Sequence, residues 1–148
     1  MANVKTTYMG IVLKNPIIVG ACELTAQMES IQRLEAAGAG AIVITSLFEE
    51  QIQLEQFKLE EALMREAGRH AEMLTLFPKT KHGGPKEHLM WVKKAKDTVK
   101  IPVIASLNAV NRGIWLEYAK LLQETGIDGI ELNFFAVPKE MDKTGAAF

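Results

Sequence analysis

The sequence predicts a parallel α/β fold opened by a small β-hairpin. Three observations carry this. Four short apolar runs, 16–21, 40–45, 101–107 and 129–133, are rich in β-branched residues and mostly do not alternate with polar ones. Strands buried on both faces read this way, and such strands belong to parallel sheets. Amphipathic helical patterns lie between the runs, so strand and helix alternate along the chain. Finally, the steps from Ile17 to Ala41 (41−17=24) and from Pro102 to Gly129 (129−102=27) each have the length of one compact strand–helix unit.

The elements follow in order. Thr6 to Pro16 reads as a hairpin with its turn near Met9-Gly10, ending directly before the first strand, Pro16 to Ala21. Ser30 to Ala37 carries Ile31, Leu34 and Ala37 at three-residue spacing, and Gly38 stops that helix. The second strand is Gly40 to Thr45. From Ala41 to Pro102 (102−41=61) the connection is roughly thirty-odd residues longer than the short-loop expectation. The excess, Glu49 to Leu76, is charged and rich in helix formers. It is expected as a helical excursion from the C-terminal end of the strands, where such loops build sites, or else as a tolerated surface insertion. Lys86 to Val99 repeats the helical spacing at Leu89, Val92, Ala95 and Val99, with Pro85 where a first-turn proline is tolerated. The third strand, Ile101 to Leu107, precedes a helix from Ile114 to Thr125, and the fourth is Gly129 to Asn133. Right-handed crossovers then place the helices over one face of the sheet. Phe134 to Phe148 carries Pro138, Gly145 and several charges but no amphipathic pattern. The expectation is that the chain stops inside a loop after strand four, whose edge needs a cover from a second copy or from more chain.

Composition narrows the function classes. With 148 residues, 48% hydrophobic and 24% charged, the chain suits one soluble domain spanning 1–148. A net charge of −1 gives no reason to expect nucleic acid or an anionic membrane as partner. No apolar run approaches the roughly 20 residues of a membrane helix. Met1 to Asn15 lacks the apolar core of a signal peptide. The single cysteine, Cys22, excludes an internal disulfide and fits a reducing, cytoplasmic compartment. No Cys/His cluster has metal-binding spacing. His70, His82 and His88 are scattered and are expected at the surface. Gly83-Gly84 is a turn signal, not a phosphate loop.

Several stretches together resemble the dihydroorotate dehydrogenase family. They are Lys14-Asn15-Pro16-Ile17-Ile18-Val19 after the hairpin, Ala36-Ala37-Gly38-Ala39-Gly40-Ala41-Ile42-Val43, then Thr45-Ser46-Leu47-Phe48-Glu49-Glu50-Gln51, Ile101 to Asn108, and Gly129-Ile130-Glu131-Leu132-Asn133. The Ser-Leu-Phe-Glu-Glu-Gln run is similar to the dihydroorotate-dehydrogenase-like branch. The resemblance implies the N-terminal half of a TIM-type (β/α) barrel, truncated after the fourth strand, with the hairpin plugging the barrel bottom and FMN lying across the C-terminal strand ends.

The resemblance also implies a set of flavin contacts. The backbone at Gly20, Ala21 and Cys22 is expected against the flavin ring, since a flat ring needs small residues beside it. Read from the sequence alone, these three are small core residues at a strand end, and Cys22 is a buried thiol. Thr45-Ser46 stands where the family has Lys-Ser, so Thr45 offers a hydrogen bond and no charge. Asn133, and more weakly Asn108, match amide contacts to flavin and substrate; either can also be a turn asparagine bonding its own backbone. The family's catalytic base position is Ala136, which cannot accept a proton, so no catalytic residue is assigned. The cofactor's phosphate site belongs to later strands.

The implied function is an FMN-dependent oxidoreductase of pyrimidine metabolism. It moves hydride between flavin and a dihydropyrimidine-like or other small unsaturated substrate. This chain is then an N-terminal fragment, expected to be inactive and to bind flavin weakly or not at all. The alternative is a self-associating half-barrel, a structural or binding module in which two copies cover each other's edges. An aldolase-type barrel finds no strand-end lysine for Schiff-base chemistry.

Overall fold

The computed structural model describes residues 3–54, 57–58, 61, 85–108 and 112–133. The chain opens with β1 (Thr6–Tyr8) and β2 (Ile11–Leu13), an antiparallel pair in which Tyr8 faces Ile11. Met9 and Gly10 form the two-residue turn with φ of 51° and 78°. Positive φ at both central residues matches the right-handed twist of a hairpin. The hairpin expectation therefore holds.

The remaining strands form one sheet. β3 (Ile18–Val19) pairs in parallel with β4 (Ala41–Val43), and β4 pairs with the first half of β6 (Val103–Asn108). β7 (Gly129–Asn133) lies along the other edge of β6, with Ile104 opposite Gly129 and Asn108 opposite Asn133. All four expected strands are present and all their pairings are parallel. A fifth, β5 (Leu47–Phe48), was not foreseen; it pairs with Leu107 and Asn108, further along the edge of β6 that β4 occupies.

Three described helices connect these strands: α1 (Met28–Ala36), α3 (Pro85–Thr98) and α4 (Arg112–Glu124). Between them, α2 is helical over residues 49–54 and at 57, 58 and 61. Of the excursion expected over Glu49 to Leu76, the remainder lies outside the described residues, as do His70, His82, Gly83-Gly84, Ala136 and the whole of 134–148. The helices begin two residues earlier than the hydrophobic spacing suggests at α1 and α4. Gly38 and Gly126 end them at φ of 102° and 82°, a conformation that glycine adopts without steric cost. A 3-10 turn, Glu23–Ala26, precedes α1; it lacks apolar periodicity and was not legible as an element.

Alternation along the strands separates two faces. Ile42, Ile44, Leu47, Val103, Ala105 and Leu107 pack with Ile31, Val92, Ala95, Tyr118 and Leu122 from the helices. All of β6 is buried, as its apolar run implies. In β7 the last three residues are exposed, so there the expectation of burial on both faces fails. Its partner is β6 alone among the described residues.

The second face carries Val43, Ile104, Ser106 and Asn108 with Gly129, Glu131 and Asn133. The hairpin covers its lower end. A methyl placed on Gly129 would lie 3.0 Å from Met9 Cε and 3.7 Å from Ile11 Cδ1.

Side chains pin the strand starts. Glu35 of α1 accepts from the Lys100 and Ile101 N–H groups at 2.7 and 3.2 Å. Asp128 Oδ2 accepts from Val103 N–H at 2.8 Å and from Lys96 Nζ at 2.6 Å. Such charge-assisted bonds at element ends satisfy backbone donors that the parallel ladder leaves open.

His88 corrects the surface expectation. Its Nε2 is buried without a hydrogen-bond partner among the described residues, because α3 turns this position toward the protein. Cys22 corrects the core expectation: it is exposed, as are Gly20 and Ala21. The chain leaves the sheet after Val19, and the turn that follows keeps only Thr25 fully buried.

Candidate functional site

The polar residues of the second face gather at the C-terminal ends of the strands. Their arrangement begins with a bulge. Val43 faces Ile104 and Leu47 faces Leu107, so one more residue lies on the β4–β5 side than on β6. An extra residue shifts every following side chain to the opposite face. Without it Thr45 would oppose Ser106. With it Ser46 does, while Leu47 turns into the helix-side core.

Ser46 Oγ and Ser106 Oγ are 2.7 Å apart. Ser106 Oγ also donates to Glu131 Oε1 at 2.7 Å. A carboxylate only accepts, so the single Ser106 proton goes to Glu131. The proton between the two serines must then come from Ser46. The chain of bonds runs Ser46 to Ser106 to Glu131 and leaves lone pairs on Ser46 Oγ.

Asn108 follows Ser106 on the same face and sits opposite Asn133. Asn108 is 6% exposed and its Oδ1 has no hydrogen-bond partner among the described residues. An unpaired buried carbonyl oxygen costs about 1–3 kcal/mol, a cost that a ligand donor can remove. Asn133 and Glu131 are exposed and open to solvent from the same side.

Gly20, Ala21 and Cys22 stand at the matching end of β3. Gly20 has ordinary backbone geometry, and a Cβ there would meet no atom within 4 Å. Neither strain nor crowding requires glycine at this position. Cys22 uses its backbone to start the turn, its carbonyl accepting from Thr25 N–H at 3.0 Å and from Thr25 Oγ1 at 2.8 Å. The order β3-β4-β6 sets this segment two strands from Asn108, about 10 Å at ordinary strand spacing.

Of the residues read from the sequence, the structure brings Ser46, Asn108 and Asn133 together on one face. Gly20, Ala21 and Cys22 lie at the same end of the sheet. Thr45 falls within the bulge and is half-buried. Ser106 and Glu131 were missed as site residues. Their signal was present: each is a polar residue inside an otherwise apolar strand, and polar groups in buried strands need partners. Among the described residues, no group of three or more His, Cys, Asp or Glu side chains could hold a metal ion. None of the described helices is long and apolar enough to cross a membrane.

Fold and face together define a parallel α/β domain with a polar, acceptor-bearing patch at the strand ends. In comparisons with known proteins, no family model matches the chain and no curated protein matches it significantly.

Proposed function

We propose that this chain forms the N-terminal part of a TIM-type FMN barrel of the dihydroorotate dehydrogenase type, in a cytoplasmic oxidoreductase acting on a small dihydropyrimidine-like or other unsaturated substrate. The observation that carries this reading is the buried, unpartnered Oδ1 of Asn108 beside Asn133 and Ser46 at the C-terminal strand ends. Parallel α/β barrels build their sites at that end. The hairpin across the N-terminal end and the open space at Gly20 support the same reading.

These residues suit the edge and face of a flavin ring. Asn108 and Asn133 offer amide groups to an edge that both donates and accepts, and the small side chains after β3 leave room for the ring. Bound flavin would supply the hydride chemistry. Ser46, through Ser106 and Glu131, holds a fixed hydrogen-bond direction beside it. The family resemblance implies that Ala136 holds the base position, so no proton acceptor is assigned there.

On this reading the described strands would contribute ring contacts and no phosphate cradle. FMN and lumiflavin, which lacks the ribityl phosphate, should therefore bind the chain with similar, weak affinity and shift the flavin absorbance saturably. Absence of saturable binding for both flavins would count against the proposal.

A second reading is a half-barrel that pairs with its own copy. It is favoured by apolar exposure at both sides of the sheet, Ile17 at 63% beside β3 and Leu132 at 42% on β7. Sedimentation then shows a dimer; a stable monomer at high protein concentration removes this reading.

A further inference from the structure

We propose that the strand-end patch selects a donor-rich, neutral or cationic small molecule and rejects a carboxylate. This deepens the site assigned above and rests on that placement, but not on flavin. Three acceptors face the patch. Ser46 Oγ has given its proton to Ser106, because Ser106 has given its own to Glu131. Asn108 Oδ1 is buried and unpartnered among the described residues. Glu131 is an exposed carboxylate, the one charged side chain on this face among the described strand residues. Thr45, in the bulge beside it, adds no positive charge. Asn133 can turn its amide either way.

Hydrogen-bond polarity does the selecting. A group with N–H donors can meet Ser46 and Asn108 while its charge or dipole faces Glu131. A carboxylate meets lone pairs and a like charge, which is repulsive in a partly desolvated site. The ligand class is an amidine, guanidinium, amine or ring amide.

Benzamidine and benzoate, nearly equal in shape and opposite in polarity, test this in the full chain by amide chemical-shift titration. Benzamidine should shift Ser46, Asn108, Glu131 and Asn133 saturably, and benzoate should not. Glu131→Gln should weaken benzamidine about tenfold or more. Ser46→Ala, which leaves the charge in place, should weaken it by a smaller factor and serves if Glu131→Gln fails to fold. Equal binding of both probes, or no shift at these residues with either, overturns the proposal. Benzamidine binding without flavin binding would remove the flavin reading and leave this one standing.

Discussion

Gly40→Ala is expected to destabilise the protein by about 3 kcal/mol. The cause is space, not backbone conformation. A Cβ on Gly40 would overlap the Asn15 carbonyl oxygen and stand 2.9 Å from Asn15 Oδ1 and 3.1 Å from the Ile17 carbonyl oxygen. Two of these atoms are backbone and cannot swing aside. They also belong to a joint. Gly40 N–H donates to Ile17 O at 2.8 Å, Asn15 Nδ2 donates to Gly38 O at 2.8 Å, and Asn15 Oδ1 accepts from Ile17 N–H at 2.9 Å. Moving Asn15 away breaks bonds that tie the hairpin exit to β3 and β4. Gly129→Ala is the control, since its nearest contact is the flexible end of Met9 at 3.0 Å; its cost should stay below about 1 kcal/mol. Urea unfolding midpoints check the pair, and equal midpoints would contradict the account of the joint.

The second large effect is a pH dependence at His88. Burial pushes its imidazole down to about 4 from the ordinary 6.5. The folded protein therefore holds the ring neutral where the unfolded chain would already bind a proton. The stability this neutral ring contributes is complete above about pH 6.5 and is lost as pH falls through 4. The full difference is about 3 kcal/mol. His88→Leu fills the same interior without a titrating group or an unpaired nitrogen. The stability difference between wild type and His88→Leu should thus move by about 3 kcal/mol, in favour of the variant, between pH 7 and 4. Parallel stability profiles for the two proteins would show that His88 is solvated.

Much of the fold could be read from residues. Long apolar runs and helical spacing located α1, α3, α4, β6 and β7, because burial on a face imposes its period directly on the sequence. Met9-Gly10 marked the hairpin by turn chemistry. β5 was hidden, since two residues after a bulge carry no period. The bulge also decided which of Thr45 and Ser46 meets Ser106, and that depends on strand register, which adjacent letters do not encode. Ser106 and Glu131 were visible as polar letters in apolar strands but gained meaning only when β6 and β7 came into register. Cys22 and His88 went opposite ways from expectation. A small residue after a two-residue strand need not be core, and a histidine on an amphipathic helix takes whichever face its spacing gives it. Family resemblance supplied Asn108 and Asn133 as candidates, and their pairing across β6 and β7 is a finding of the structure.

On the reading proposed above, ligand chemistry belongs to the strand ends of the second face. Site-resolved titration of the isotope-labelled chain with lumiflavin is the decisive experiment. Saturable shifts are expected at Gly20, Ala21, Ser46, Asn108 and Asn133, with Asn108→Ala weakening the binding. Shifts confined to the helix side of the sheet, or none at the strand ends, would contradict it.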